Sequence, residues 1–352
     1  MEKTMKAALL YTSGGLKLEE IPIPTVGPRD ILLKVKYCAI CGSDQHNYFG
    51  QPFKEGQLMG HEFVGTVIEI GSEVKDIPLG MRGTGFSIGT CGVCYYCKKG
   101  RSNLCPELFA NYSGYGRPGA FAEYVHIADA KLGANFFEIP KNISDKAAAL
   151  IEPMGVASHV VSRTKPEVGA NIIIQGGGPI GNLVAQAMRS KEPGSVIVTD
   201  VFSERLKFAL DCGADAVINA KSDVLKEYQA ITGEARWSGG TCGAADIVVE
   251  ASGNPKAIAL SLDLARSGAT ICQVGIAEHE AALNVSLLAR KGLTWFGFAG
   301  SNMPKAIKLM ANGTVNVEKI ITHTFPLDRI NEAFYVQRDD PSAMKVLIDA
   351  ED

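Results

Sequence analysis

From Lys6 to about Val74, short runs of strand length (AALLY, ILLKVKYC, EFVGTVIEIG) are cut by Pro and Gly, as at Ile21-Pro22-Ile23-Pro24 and Gly27-Pro28. Apolar runs closed by such turn residues predict an antiparallel β domain. Between about Leu79 and Ala120 the periodicity disappears, and so long an irregular stretch needs something other than an apolar core to hold it. From about Asn171 the pattern changes to strand-length apolar runs alternating with helical ones: NIIIQ, GNLVAQAMR, VIVTD, ERLKFALDCG, AVINA, DIVVEAS, PKAIALSLDLA, TICQVGI and LTWFGFA. That alternation predicts a parallel sheet with helices on both faces. After about Gly300 a helical run (PKAIKLMANG), a polar-apolar run (KIITHTFPL), another helix (DRINEAFYVQ) and a last strand (AMKVLID) break the alternation.

Length turns this change of pattern into a division. The 352 residues exceed the roughly 100 to 200 of one ordinary domain, so two domains are expected. With 46% apolar and 21% charged residues, the composition is that of a globular protein and argues against a disordered chain. Lys and Arg total 35 against 38 Asp and Glu, which leaves no cationic field for a nucleic-acid backbone. No apolar run approaches the ~20 residues of a membrane span, and the start MEKTMKAALL lacks a leader's apolar stretch. A soluble cytoplasmic protein is the expectation.

Three groups of residues carry candidate chemistry. Gly176-Gly177-Gly178-Pro179-Ile180-Gly181 follows the run NIIIQ and opens a helical pattern, and Asp200 ends the next strand. This is G-x-G-x-x-G in a strand-turn-helix context: glycines let the chain turn and a pyrophosphate approach the helix N-terminus. Asp200 would accept hydrogen bonds from the adenosine ribose and repel a 2′-phosphate, favouring NAD over NADP. Cys91, Cys94, Cys97 and Cys105 lie within fifteen residues; four thiolates wrap one tetrahedral zinc and leave no open position, as in a structural site. An iron–sulfur cluster and free loop thiols are the rival readings. The third group is dispersed: Cys41-Gly42-Ser43-Asp44-Gln45-His46, Gly60-His61-Glu62 and Ile151-Glu152-Pro153. One thiolate, one imidazole and one carboxylate would leave a metal position open for substrate. Spacing does not bring them together: Cys41 reads equally as a core thiol, His61 as a turn histidine and Glu152 as a surface carboxylate.

With these residues in view, the chain resembles the zinc-dependent medium-chain alcohol dehydrogenases, in the branch that includes sorbitol (polyol) and threonine dehydrogenases. Gly60-His61-Glu62-x2-Gly65-x5-Gly71-x2-Val74 fits that family's zinc signature, and the four-cysteine lobe and dinucleotide fingerprint follow in the family's order. The resemblance implies an α/β protein: a GroES-like β-barrel catalytic domain (1–156 and 300–352, zinc lobe about 88–106) plus a Rossmann doubly wound parallel-sheet domain (157–299), with the active-site cleft between them. It implies two zinc ions per subunit and NAD. Cys41 and His61 become catalytic zinc ligands, with Glu62 and Glu152 as alternating carboxylates and Asp44 orienting the histidine. Ser43 and His46 match the family's proton relay away from the zinc-polarised hydroxyl. Arg205, Ser252, Val274 and Gly275 are expected to join the glycines and Asp200 as cofactor-binding positions.

The expected reaction is NAD-dependent oxidation of a secondary alcohol in a sugar alcohol, vicinal diol or amino alcohol. A sugar-alcohol-phosphate or L-threonine 3-dehydrogenase is the alternative, and a non-catalytic NAD- and zinc-binding protein is the remote one. Tyr48, Phe49, Tyr112, Tyr115 and Arg117 are candidates for the substrate wall, and Arg290 and Lys291 for a phosphate or the cofactor. Cys38, Cys212, Cys242 and Cys272 read as core or surface thiols. His126, His159, His279 and His323 have no assigned role, with His159 singled out for its closeness to Glu152. Leu79-Gly80-Met81-Arg82-Gly83 departs from the family's usual Gly-Asp-Arg-Val, leaving the local strand register open. The strand Leu293–Phe298 resembles the family's subunit-pairing edge, so a homodimer or homotetramer is expected.

Overall fold

Alternation of buried and exposed positions along Leu33-Lys34-Val35-Lys36 makes the third strand one half of a two-faced sheet, with apolar side chains on the core side. The computed structural model describes residues 3–12, 14–50, 52–86, 90–297 and 300–351. Ile88 and Gly89 of the expected zinc lobe, and Phe298 and Ala299 at the end of the expected nucleotide domain, lie outside the described residues. Strands β1–β18 and helices α1–α11 are numbered in chain order. Two units divide the chain, Met1–Glu152 with Ile321–Asp352, and Pro153–Ile320.

In the first unit, β1 (Thr4–Leu10) pairs with β2 (Leu16–Pro22) and β4 (Gln57–Leu58). A second sheet is built around β3 (Ile31–Ala39). One of its edges takes β5 (Glu62–Ile70), followed by β6 (Arg82–Gly85) and β8 (Phe136–Glu138); the other is shared by β7 (Tyr124–Ile127) and β18 (Lys345–Asp349), beyond which lies β17 (Ile321–Pro326). Register shifts between Leu32 and Leu33 and between Val35 and Tyr37 in the β3–β5 pairing bend the sheet as bulges do. The C-terminal strand β18 runs antiparallel to β3, Leu347 opposite Ala39, so the chain end completes this unit. The departure at Leu79–Gly83 leaves pairing intact: Gly80 turns the chain at φ +79, and Val67 bonds Met81 O at 3.0 Å just before β6 begins.

The second unit is a six-stranded parallel sheet in the order β11 (Ala216–Asn219), β10 (Ser195–Asp200), β9 (Asn171–Gln175), β14 (Ala245–Glu250), β15 (Ala265–Gln273), β16 (Thr294–Gly297). Helices α5 (Pro179–Met188), α6 (Ser203–Asp211), α7 (Val224–Thr232), α8 (Pro255–Leu264) and α9 (Val285–Lys291) alternate with the strands. Ile172, Ile173 and Ile174 of β9 are all fully buried, as a central strand covered on both faces requires. Strand order reverses between β9 and β14, the crevice where doubly wound sheets bind their ligands. The pattern reading missed the hairpin β12 (Glu234–Trp237) and β13 (Gly240–Gly243), whose glycine-rich sequence has too few apolar residues to show a strand period.

The unit boundaries differ from the expected ones. Residues 300–320, expected with the barrel, belong to the second unit, where their polar groups are satisfied. Lys305 on α10 (Met303–Ala311) bonds Ser162 Oγ of α4 (Ile151–Thr164) at 3.0 Å, and Asn316 N–H donates to Gln186 Oε1 of α5 at 2.8 Å. Residues 153–156 fall on the same side. No helix among the described residues is long and apolar enough to cross a membrane.

Candidate metal and nucleotide sites

Gly60 sets the geometry of the dispersed donors. Its φ is +94, and a Cβ there would lie 2.8 Å from Cys38 Sγ and 2.9 Å from Phe121 N, so only glycine fits. The turn it makes delivers His61 and Glu62 into the start of β5. Cys41 is the N-cap of α1 (Gly42–Phe49), its N–H donating to Asp44 Oδ2 at 3.0 Å. One donor atom each of Cys41, His61 and Glu62 lie within 4.8 Å of one another. Asp44 Oδ1 stands 3.7 Å from His61 Nδ1, and that nitrogen is buried without a hydrogen-bond partner among the described residues. A half-buried soft sulfur converging with a buried imidazole and a buried hard oxygen fits a borderline metal such as zinc.

Glu152, in the first turn of α4, is buried but does not join the three clustered donors. Burial pushes its carboxyl up to about 7, opposed by His61 and assisted by Glu62. Burial also opposes charge on His61, but Asp44 and then Cys41 outweigh it and hold the imidazole well above its usual range. Sequence reading missed Lys345. This buried first residue of β18 brings Nζ to 2.5 Å from Glu62 Oε2 and donates to Ile40 O at 2.9 Å. Its only signal was a cation inside the apolar run AMKVLID.

Ser43 and His46 lie one turn apart on the same face of α1, with His46 exposed. Tyr115 hydrogen-bonds Ser43; its ring lies 5.7 Å from that of His61, and the Tyr112 ring lies 6.3 Å from it. Phe86 stacks on Tyr112 and Phe109 leans on Tyr115. Arg117 closes this loop through its backbone, N–H to Tyr112 O at 3.2 Å. Tyr48 and Phe49, also expected on the wall, pack against residues 331–335. Tyr48 stacks on Phe334 and bonds Asn331 Oδ1 at 2.7 Å, while Phe49 packs on Tyr335 of α11 (Ile330–Asp339) under Arg338.

The sulfurs of Cys91, Cys94, Cys97 and Cys105 also lie within 4.8 Å of one another. Backbone N–H groups point at them: Cys91 N to Cys105 Sγ and Cys94 N to Cys91 Sγ, both at 3.3 Å. Those of Cys94 and Val93 bring Cys91 down to about 7, whereas burial and the adjacent sulfurs push Cys97 up to about 11. Four thiols so placed, with amides favouring the thiolate, fit one tetrahedral ion.

In the second unit the glycine loop joins β9 to α5, with Gly178 as N-cap and Pro179 in the first turn. A Cβ on Gly181 would sit 1.8 Å from Gly176 O, so helix and loop can approach only without one. Asp200, at the end of β10, accepts from Gly177 N at 2.8 Å and from Phe202 N at 2.9 Å, with Arg205 4.0 Å away. Asn182, unnoticed in the sequence, is buried and donates to Gly177 O at 2.6 Å. The loop is thus held from both the helix and the neighbouring strand. Of the two residues considered for a phosphate or the cofactor, Arg290 lies over Trp237, and buried Lys291 donates to Leu262 O. His159 lies two turns beyond Glu152 on α4, its pKa lowered by burial and then by Arg163 and Lys305.

Residues 27–140 match the family described as the alcohol dehydrogenase GroES-like domain, and residues 179–312 match the zinc-binding dehydrogenase family. L-threonine 3-dehydrogenase of Legionella pneumophila is 32% identical over 346 residues, covering 95% of this chain and 96% of that one. Sorbitol dehydrogenase of Bacillus subtilis is 33% identical over 348 residues, covering 94% and 93%. An alcohol dehydrogenase of Escherichia coli, solved with NADH, superposes with a TM-score of 0.89 at 29% identity, covering 98% of this chain and 99% of that one.

Proposed function

Because the chain belongs to the zinc-dependent medium-chain dehydrogenase family, we propose that it oxidises a secondary hydroxyl of a sugar alcohol, vicinal diol or amino alcohol to a ketone, with NAD as hydride acceptor. The convergence of half-buried Cys41 with buried His61 and Glu62 in one cluster carries this reading. Cys41, His61 and a carboxylate from Glu62 or Glu152 would hold a zinc ion, which would supply Lewis acidity to the substrate hydroxyl, with the nicotinamide as hydride acceptor. Asp44 orients His61. Lys345 neutralises Glu62, which keeps two carboxylates from crowding one cation with excess negative charge. Ser43 takes the hydroxyl proton and His46, exposed on the same face of α1, passes it to solvent. Tyr112 and Tyr115 offer hydroxyls beside the cluster to a polyhydroxylated substrate. A second, structural zinc belongs to Cys91, Cys94, Cys97 and Cys105.

The dinucleotide is assigned to Gly176, Gly178, Pro179, Ile180, Gly181, Asp200, Arg205, Ser252, Val274 and Gly275. A carboxylate at position 200 favours ribose hydroxyls over a 2′-phosphate. Asp200→Ala should shrink the preference for NAD over NADP in kcat/KM. It should also weaken both cofactors, since Gly177 loses its acceptor; an unchanged preference would remove Asp200 from the ribose. L-threonine as substrate is the second reading, favoured by the Legionella relative. The test is NADH formation by the zinc-loaded protein across polyols, their phosphates, 2,3-butanediol, threonine and simple alcohols. Turnover confined to polyols or diols is the expected result, and turnover confined to threonine selects the second reading. No turnover on any member would sink both. The place of β16 at the end of the strand order among the described residues supports self-association as part of the same proposal.

A further inference from the structure

Glu250, the last residue of β14, is fully buried, yet among the described residues no ion pair involves it. Its carboxylate is held by neutral donors instead. Oε1 accepts from Ser252 N at 3.0 Å and Ser252 Oγ at 2.5 Å. Oε2 accepts from Gly253 N at 3.1 Å and Gln273 Nε2 at 2.6 Å. The backbone oxygen of the same residue accepts from Val274 N and Gly275 N, both at 2.8 Å. One residue therefore ties together the chain leaving β14 and the chain leaving β15.

These exits lie on the far side of the strand-order reversal from the adenosine features. Asp200 ends β10 and the glycine loop ends β9, so a dinucleotide laid across the carboxyl ends of the strands reaches β14 and β15 with its other half. The loops meet there at backbone contact. A Cβ on Gly275 would lie 2.3 Å from Gly253 N and 2.7 Å from Glu250 Oε2, and one on Gly176 would lie 2.9 Å from Ser252 N. Burying a carboxylate is costly, and glutamine would not reproduce its bonding: an amide has one oxygen, and its NH2 would face the N–H donors of Ser252 and Gly253 or that of Gln273.

We infer that Glu250 is a positioning residue for the nicotinamide half of the dinucleotide, acting through the loops at 251–253 and 273–275 without touching the cofactor. The inference rests on the dinucleotide reading above. NADH and ADP affinities are measured by titration calorimetry on the zinc-loaded full-length protein and its Glu250→Gln and Gln273→Ala variants. Glu250→Gln should weaken NADH about tenfold and leave ADP, which occupies only the glycine-loop half, within about twofold; Gln273→Ala should weaken NADH about threefold. Should Glu250→Gln fail to fold, the NADH-to-ADP split in Gln273→Ala decides. Equal weakening of both ligands, or unchanged NADH affinity in both variants, would overturn the inference. Failure of the unaltered protein to bind NADH while it binds ADP would overturn the dinucleotide reading itself.

Discussion

Cys41 and Asp30 show how differently single side chains act in the same unit. Cys41→Ser exchanges a soft donor for a hydroxyl, so turnover should fall at least ~10³-fold. NADH affinity should stay within about twofold, because the residues assigned to the dinucleotide lie in the other unit; equal loss of both would refute that division of labour. Asp30 has a structural task. Burial raises its pKa, but N–H groups of Asp129 and Gly27 and the His126 imidazole outweigh that and hold it below 3.8. A depressed carboxylate pKa stabilises the fold above the unfolded value and loses that contribution as pH falls through the folded one. Asp30→Asn should therefore cost about 1–2 kcal/mol at neutral pH in denaturant titrations, with the gap closing below about pH 4. The clustered donors Cys41, His61 and Glu62 were legible as candidates because their types and spacings carry chemistry. Lys345 and Asn182 were not, because a buried lysine or asparagine acquires meaning only from the partner it meets.

Local elements convert those residues into sites. Gly60→Ala would force a Cβ against Cys38 Sγ and Phe121 N from a backbone conformation that alanine rarely adopts. A loss of about 2–4 kcal/mol is expected, together with weaker retention of the metal at Cys41 and His61, read by denaturation and metal analysis. The cysteine lobe should behave independently: Cys97→Ser should lose one metal equivalent and lower Tm without removing the other ion. Strands and helices of the nucleotide unit were legible from period alone, since β9 and its neighbours are long apolar runs between helical ones. The β12–β13 hairpin and the packing of Tyr48 and Phe49 against α11 were hidden, the first by weak hydrophobicity and the second because aromatic residues do not announce which neighbour they will stack on.

At the level of the whole molecule, the proposed metal donors and the proposed dinucleotide residues fall in different units, so chelation of the zinc-loaded protein should end turnover while NADH binding persists. The sequence by itself determined the classes of element, the fingerprint Gly176–Gly181 with Asp200, the four-cysteine lobe and the donor types at 41, 61, 62 and 152, because backbone periodicity and ligand chemistry are written in residue type and spacing. Tertiary structure alone decided that Cys41, His61 and Glu62 meet, that Lys345 arrives from the far end of the chain to pair with Glu62, that residues 300–320 join the nucleotide unit, and that Glu250 ties two strand exits together. Each of these depends on contacts between segments remote in sequence, and such contacts are set by how sheets pair and pack.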